Sequence, residues 1–181
     1  MSINGSKCGF DGFKVGLNGF ENPVRDSEVD ACKAIIGMGC KLKLTENGDI
    51  LIKRVGRGHV FVRNILTESA ISNDILKLRS GLLEPDRALK LFDIKKFKQN
   101  LSREVRRPKP DWKKIESQVK YKVIGILFTK CFPIQVISSF SFIKNPDNVL
   151  DCPVWVMIVN IVALEMVQTK KQQYRNDNNI H

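Results

Sequence analysis

Cationic side chains are concentrated between residues 87 and 122, where thirteen lysine and arginine residues stand against four aspartate and glutamate residues. Clustered ammonium and guanidinium groups bind anions through charge-assisted hydrogen bonds. The whole 181-residue chain also carries a net charge of +11, with a pI near 9.6. A field of that sign favours an anionic partner. Nucleic acid, acidic lipid and phosphorylated protein all remain open as partners.

The centre of this basic stretch is RRPKPDW at residues 106–112, where two prolines interrupt regular structure. Trp112 and Tyr121 interleave with the charges and can stack on nucleic-acid bases. Trp112 also falls at helical spacing with Ile115 and Val119, which is typical of a core position. Because no recognised nucleic-acid motif is present, nucleic-acid binding by the 87–122 face is the alternative function, not the preferred one. The candidate basic face consists of Arg103, Arg106, Arg107, Lys109, Lys113 and Lys114.

Groups that could catalyse a reaction or bind a metal are sparse in this sequence. The five cysteines, at positions 8, 32, 40, 131 and 152, lack zinc-ligand spacing, and the histidines are His59 and His181. We therefore predict no metal site, no cofactor and reduced thiols, which suits a cytoplasmic or nuclear protein. No Ser/His/Asp, Cys/His or paired-carboxylate arrangement stands out, so we predict that the protein is not an enzyme.

The first helix of the chain is predicted between residues 27 and 36. Ser27 has the type and position of an N-cap, and Asp30 stands where a capping-box acid would. Apolar residues follow at positions 29, 32, 35 and 36, which is helical spacing. Gly37 and Gly39 are then expected to end the helix. A strand running into an Asn-Pro turn is predicted before it, at residues 13–26.

Alternating apolar residues predict a sheet after this helix. KLKL at 41–44 and DILIKRV at 49–55 flank Asn47-Gly48, a strong hairpin signal. A second turn at Gly56-Arg57-Gly58 leads into HVFVRN at 59–64, so we predict a three-stranded meander. Residues 74–92 are predicted as two short strands around a Gly-Leu-Leu-Glu-Pro turn. The further strands are predicted at 121–128, 133–143 and 152–159, and the further helices at 93–101, from Asp111 onward, and at 160–173.

The two ends of the chain are expected to lie outside the folded domain. Residues 1–12 are rich in Gly, Ser and polar side chains and contain no apolar signal core, so they are predicted to be flexible. The domain is predicted at 13–169 and a polar, frayed tail at 170–181. The longest apolar stretch, at 154–167, is shorter than the roughly 20 residues that span a bilayer. It is interpreted as buried core.

Six of these segments occur in an order that resembles a known family. They are VGLNGFENPVRDSEVDACKAIIGMGCKLKL, GDILIKRVGRGHVFVRN, DILKL, ALKLFDIKKF, SFSFIK and CPVWVMIVNIVALEMV. Together they resemble the C-terminal Mad-homology (MH2) domain of Smad proteins over residues 14–168. That family shows a helix ending in Ile-Gly-x-Gly, and later a Ser-Phe-Val-Lys segment and a Pro-Cys-Trp-Ile segment.

The resemblance implies a fold and a function. The fold is mainly β, an antiparallel β-sandwich with a helical cap at one end and a loop-helix region at the other. Such domains are protein-interaction modules and not enzymes. They bind phosphoserine-containing tails, assemble as homo- or hetero-trimers and join transcription complexes in TGF-beta-type signalling. The implied partners are signalling or transcription-regulatory proteins, and the implied location is the cytoplasm, the nucleus or both.

The resemblance also assigns two binding residues. Lys77 of DILKL and Lys144 of SFIK match lysines that in the family help to form a basic phosphoserine pocket. A phosphate carries about −1.5 to −2 charges, which suits such a pair. From residue type alone, both lysines are ordinary solvated charges at strand ends.

The sequence departs from the family pattern near Lys144. The segment that follows it, at 145–148, is Asn-Pro-Asp-Asn, which is shorter and less basic than the family's loop. Ser139 stands where the family has an arginine. The C-terminus ends in NNIH and lacks the Ser-x-Ser phosphoacceptor. We therefore expect a divergent, stand-alone member that is not activated by receptor-type phosphorylation.

Overall fold

A six-stranded sheet forms the centre of the molecule. The computed structural model describes residues 1–24, 26–64, 72–78, 81–120, 122–125 and 154–178. The strands of the sheet are β1 (Ser2–Asn4), β2 (Gly9–Phe10), β3 (Lys14–Gly16), β4 (Cys40–Leu44), β5 (Ile50–Arg54) and β7 (Ala88–Phe92). They lie in the order β2-β3-β1-β4-β5-β7. Because β1 runs parallel to β3, the sheet is mixed, and the prediction of a wholly antiparallel arrangement is wrong for this pair.

The hairpin predicted around Asn47-Gly48 is confirmed. β4 and β5 pair in register from Cys40 opposite Arg54 to Leu44 opposite Ile50. Gly48 has a φ of 90°, which side-chain-bearing residues rarely adopt. Leu42 and Ile52, which lie opposite each other in the hairpin, are both buried in the core, whereas Leu44 at the end of β4 is exposed. The turn residues therefore set the register, and the alternating pattern sets the buried face.

The prediction that residues 59–64 form the third strand of the meander is wrong. The neighbour of β5 is β7, whereas Arg63–Asn64 form β6 and pair with a second sheet. The chain leaves the first sheet at the turn after β5, where the guanidinium of Arg54 donates to the carbonyls of Gly56 and Arg57. Phe61 then makes an isolated bridge to Leu82. Residues 59–64, which show the alternating pattern, thus form the segment that leads from the first sheet to the second.

The second sheet consists of β6, β8 at Lys122–Gly125 and β9 at Trp155–Ile158, in that order. The strands predicted at 121–128 and 152–159 are confirmed in these parts, and the one predicted at 133–143 lies outside the described residues. Val156 and Ile158 pack against the core of the six-stranded sheet, which also buries Val154. The buried-core prediction for 154–167 is therefore confirmed at Val154, Ala163 and Val167. It is wrong at positions 159, 161 and 162, whose side chains are exposed.

The amino-terminal residues, which we expected to be flexible, form part of the sheet. Ile3 in β1 is only 1% exposed, and β1 lies between β3 and β4. The terminal ammonium of Met1 donates to the carbonyl of Leu42 at 2.9 Å. Composition alone indicated a flexible end because glycines and polar residues make up most of this segment.

Among the described residues, five α-helices accompany the sheets: α1 (Ser27–Ile35), α2 (Asn73–Leu76), α3 (Ile94–Val105), α4 (Trp112–Lys120) and α5 (Ile161–Asn178). A 3₁₀ helix at Leu17–Gly19 precedes α1. The helices predicted to begin near Ser27, Asp93, Asp111 and Asn160 are confirmed. Asp93, Asp111 and Asn160 each accept a backbone N–H from the first turn that follows. The first of the two strands predicted at 74–92 is wrong, because α2 occupies that segment.

Helices α3, α4 and α5 pack around a second apolar core. Phe97, Ala163 and Val167 are fully buried there, and Ile115 and Val119 are nearly so. The tail expected from residue 170 instead continues α5 to Asn178. Its side chains are held, since Lys171 pairs with Glu116 at 3.0 Å and the ring centroid of Tyr174 lies 5.7 Å from that of Trp112.

An ionic network fixes the start of α3 against the hairpin. Asp49 accepts the N–H of Ile94 at 2.9 Å and pairs with Lys90 at 2.7 Å, and Lys90 also reaches Asp93 at 3.4 Å. Partial burial alone would raise the pKa of the Asp49 carboxyl. The hydrogen bonds from Lys90 and the Ile94 amide overcome this and lower the pKa below its ordinary value.

We expect Asp49→Asn to reduce the free energy of unfolding at pH 7 by about 1–2 kcal/mol. A carboxyl whose folded pKa is lowered stabilises the protein above its unfolded pKa, near pH 4, and loses that contribution as the pH falls further. Urea unfolding at several pH values measures this. The variant should show a weaker acid dependence than the wild type, and the exposed neighbour Glu46→Gln should match the wild type. Equal acid dependence in wild type and Asp49→Asn would contradict the network's role.

Candidate protein-interaction surface

Lys77 lies at the C-terminal end of α2, as its C-cap residue, and not on a strand. Its side chain is exposed, and its ammonium makes no ion pair with any residue that the structure describes. Its backbone N–H bonds back to the carbonyls of Asn73 and Ile75. The backbone is thus held while the charge stays available to solvent or a ligand.

Helix α2 is attached firmly to the edge of the central sheet. Ser72 caps it by accepting the N–H of Asp74 at 3.2 Å, and the buried Ser72 hydroxyl donates to the carbonyl of Lys90. Asp74 accepts the N–H of Lys90 at 3.0 Å. A third tie joins Lys96 of α3 to Asn73 at 3.0 Å. The short helix therefore holds the backbone of Lys77 close to β7.

The second predicted phosphoserine ligand, Lys144, lies outside the described residues. The same is true of Ser139 and of residues 145–148, where the sequence departs from the family pattern. The structure therefore places one of the two lysines and leaves the pairing of Lys77 with Lys144 as a prediction.

The six residues of the candidate basic face lie at the corner between α3 and α4, and all six are exposed. The corner is rigid because the buried carboxylate of Glu104 accepts the N–H of Asp111 at 2.9 Å and pairs with Arg107 at 3.2 Å. Arg103 donates to Asn100 at 3.0 Å. Arg107 is thus partly engaged in holding the corner, whereas Arg106 and Lys109 make no ion pair within the described part of the chain.

The aromatic residues considered for base stacking have structural surroundings where they are described. Trp112 packs on the core of α3, α4 and α5, and its ring meets the edge of Tyr174. The hydroxyl of Tyr174 donates to the carbonyl of Pro108 at 2.8 Å, and this hydrogen bond joins α5 to the α3–α4 corner. The core interpretation of Trp112 is confirmed, and Tyr121 lies outside the described residues.

The described thiols fall into two kinds. Cys32 and Cys40 are buried in the first core, and burial raises the pKa of the Cys40 thiol to about 12. Cys8 is exposed. Across the described ranges no group of three or more His, Cys, Asp or Glu side chains is placed to hold a metal ion. Cys131 and Cys152 lie outside these ranges.

The sequence interpretation missed an apolar groove. Two connected stretches, about 650 and 750 Å³ in volume, run from the hairpin turn to the crevice between α3 and α5. Leu44, Val159, Ile161 and Val162 line or border it with 41–65% of their surface exposed. One signal was available: α5 carries apolar residues at 161 and 162 as well as on its buried face, so a second face of the helix is apolar.

Exposed cations and an apolar groove with exposed aliphatic side chains are features typical of domains that bind other macromolecules. The family model of the MH2 domain matches residues 1–161. Since this is most of the chain, the protein belongs to the MH2 domain family, a Smad-type protein-protein interaction module and not an enzyme family. No curated protein matches the sequence. None of the helices that the structure describes has the length and apolar character needed to traverse a bilayer.

Proposed function

We propose that this MH2 domain recognises phosphoserine-containing segments of signalling or transcription-regulatory proteins. The observation that carries the proposal is Lys77, an exposed cation fixed at the end of a firmly tied short helix in a member of this family. A phosphate brings three strong acceptor oxygens and about −1.5 to −2 charges. Because α2 already holds the backbone of Lys77, binding a phosphate has to order only its side chain.

Lys144 is the second cation of the proposed pocket, assigned by its Ser-Phe-Ile-Lys segment. The short Asn-Pro-Asp-Asn segment after it brings an acid in place of the family's extra basic residues. This favours a phosphopeptide specificity that differs from that of typical Smads, with weaker affinity for their doubly phosphorylated tails. The sandwich arrangement of the two sheets, assembly as homo- or hetero-trimers, and a cytoplasmic and nuclear location belong to the same proposal.

We expect Lys77→Ala to weaken binding of a phosphorylated Ser-x-Ser peptide about tenfold or more, because a charge-assisted hydrogen bond to phosphate is lost. Fluorescence anisotropy with the phosphorylated and unphosphorylated peptides measures the effect. Lys144→Ala should behave alike, and Lys77→Arg should restore part of the affinity. The matched control is Lys109→Ala, which removes another exposed lysine, at the α3–α4 corner.

The alternative function, nucleic-acid binding by the 87–122 face, is favoured by the exposed cluster at the α3–α4 corner. Nucleic-acid binding predicts a different result when a labelled nucleic acid replaces the peptide in the anisotropy assay. Binding of a duplex or single strand should fall steeply with salt and decline gradually as several of Arg103, Arg106 and Lys113 are removed. Phosphate-independent peptide binding that is insensitive to Lys77 and Lys144, together with such a salt-dependent duplex affinity, would replace the phosphoserine proposal with this one.

A further inference from the structure

The hydroxyl of Tyr174 lies at the surface of the protein, although its half-buried ring is held in place. The ring meets that of Trp112 edge-on, with the centroids 5.7 Å apart. The hydroxyl donates to the carbonyl of Pro108 at 2.8 Å, and this hydrogen bond is exposed to solvent. The phenolic oxygen is therefore both positioned by its neighbours and reachable from outside.

The segment of α5 around Tyr174 can open without disturbing the core. The helix ends at Asn178, four residues beyond the tyrosine, and its buried residues Ala163 and Val167 lie well before it. Residues 172–173 and 175–178, on both sides of the tyrosine, are exposed. Because helix ends fray and little apolar surface is buried here, local opening costs far less than global unfolding. A modifying enzyme can therefore reach Tyr174 in the folded protein.

The α3–α4 corner that Tyr174 contacts carries more positive charge than its own acids neutralise. Residues 103–114 contain six lysines and arginines and two acids. Both acids are already engaged, since Glu104 accepts the N–H of Asp111 and pairs with Arg107. Asp111 in turn accepts the N–H of Lys114 at the start of α4. The corner therefore has cations to spare for an additional anion.

The two residues that Tyr174 contacts are each followed by one of these cations. Pro108 precedes Lys109 and Trp112 precedes Lys113, and both lysines are exposed. A phosphate on the phenolic oxygen would lose the hydrogen bond to the Pro108 carbonyl, because both groups are acceptors. It would bring about −1.5 to −2 charges and three acceptor oxygens to the corner. Charge-assisted hydrogen bonds from the flexible lysine side chains would then replace the neutral bond that is lost.

We propose that Tyr174 is a phosphorylation site and that the α3–α4 corner holds the phosphate. A tyrosine kinase supplies the phosphoryl group from ATP. The phenolic oxygen forms a bond to the γ-phosphorus, the bond from that phosphorus to the β–γ bridging oxygen breaks, ADP leaves, and the kinase takes up the phenolic proton. The phosphate offsets part of the positive charge of the corner and so weakens its attraction for external anions. The proposal does not rest on phosphoserine recognition by Lys77 and Lys144.

The first test compares the full chain with a free peptide of residues 168–181, using a tyrosine kinase domain that modifies the peptide and magnesium ATP. Mass spectrometry follows the phosphate. The sequence contains two tyrosines, Tyr121 and Tyr174, so Tyr174→Phe identifies the modified one while keeping the ring on Trp112. We expect the full chain to be modified at Tyr174 at a rate within about tenfold of that of the peptide. A rate below this would overturn the proposal and leave Tyr174 with a structural role.

The second test asks whether the corner holds the phosphate. The second pKa of a phosphate ester on a free peptide is about 6, and nearby cations lower it because they favour the dianion. Phosphorus NMR titration of the phosphorylated chain should give a second pKa at least about half a unit below that of the phosphorylated peptide. The C-terminal end of α5 acts in the opposite direction, so a lowered pKa reports the cations of the corner. Equal values in chain and peptide would mean that the phosphate faces solvent and would overturn the proposal.

Two double variants separate the corner from net charge. In phosphorylated Lys109→Ala with Lys113→Ala, the second pKa of the phosphate should return toward that of the peptide. Lys41→Ala with Lys43→Ala removes the same charge from exposed positions of β4 and should leave the lowered pKa unchanged. Circular dichroism should be the same for both, because all four side chains are exposed. Equal pKa values in the two double variants would show that net charge alone acts and would contradict a phosphate held by the corner.

Discussion

Gly39→Ala is expected to lower the free energy of unfolding by at least about 3 kcal/mol, whereas Gly37→Ala should lower it by only about 1 kcal/mol. The two glycines have nearly the same backbone conformation, with φ values of 58° and 56°. An added Cβ meets the same left-handed strain at both positions. The difference lies in the space around them, so the pair separates local strain from close packing.

The surroundings of Gly39 leave no room for a side chain. A Cβ there would overlap the carbonyl oxygen of Ile3 and lie 3.0 Å from its carbonyl carbon, both atoms of the backbone of β1. The carbonyl of Gly39 also accepts the N–H groups of Val55 and Gly56, so the glycine cannot move away easily. A Cβ on Gly37 would meet its nearest atom, the carbonyl oxygen of Ile35, at 3.9 Å.

Urea unfolding followed by circular dichroism gives both differences under the same conditions. We expect the Gly39→Ala variant to lose the packing of β1 against β4, which amide hydrogen exchange would report at Ile3 and Cys40. Equal destabilisation by the two substitutions would mean that β1 can shift away from Gly39. The close approach of the amino-terminal strand would then not be a requirement of the fold.

Local chemistry made most helices and the hairpin predictable. Asp93 and Asp111 cap the helices that follow them, and Asn47-Gly48 forms a tight turn, so neighbouring residues alone indicated these elements. Ser27, predicted as an N-cap, is instead the first residue of α1. The wrong predictions concern elements whose structure depends on residues that are distant in the sequence. Ile3 lies in a segment rich in glycine and polar residues, and only its partner segments, Lys14–Gly16 and β4, make it part of a sheet.

The same limit explains the error over residues 59–64 and α2. Alternation in HVFVRN indicates a strand, but it does not say which strand is the neighbour, and pairing with β8 rather than β5 is set over a long sequence separation. Asn73–Leu76 makes one helical turn that is stabilised by Ser72 and Asp74 bonding to Lys90, a contact that no local pattern encodes.

The candidate sites show the same division. The basic cluster at residues 103–114 could be identified by counting charged residues in the sequence, and the structure shows that its six members are exposed. The apolar groove was indicated only by the apolar residues at 161 and 162, because Leu44 and α3, which also line it, lie far from them in the chain. The assignment of Lys77 rested on its five-residue motif and not on periodicity, which placed it on a strand when it caps a helix.

A second large effect is expected at Arg54, whose side chain is only 6% exposed. We expect Arg54→Met to lower the free energy of unfolding by about 3–5 kcal/mol, although methionine keeps much of the apolar stem. The guanidinium donates to the carbonyls of Gly56, Arg57 and Leu83 at 3.1, 2.8 and 3.2 Å. Removing it leaves three carbonyl oxygens without this donor.

The carbonyl contacts explain why an arginine is needed at this position. Arg54 pairs with no carboxylate in the described part of the chain, so its burial is compensated by the three carbonyls alone. The planar guanidinium reaches all three at once, which the single ammonium of a lysine cannot do. Arg54→Lys is therefore expected to be intermediate between wild type and Arg54→Met.

The control is Arg57→Met, in the turn after β5, where the side chain is exposed and the carbonyl that Arg54 uses is unchanged. We expect this substitution to change the free energy of unfolding by no more than about 0.5 kcal/mol.

Because Arg54 joins the 56–58 turn to Leu83, its loss should also free the segment that leads from the first sheet to the second. Amide exchange at Val60 and Val62 would then rise before global unfolding. A wild-type unfolding midpoint in Arg54→Met would show that the turn is held by the backbone alone, and that the guanidinium does not direct residues 59–64 away from the first sheet.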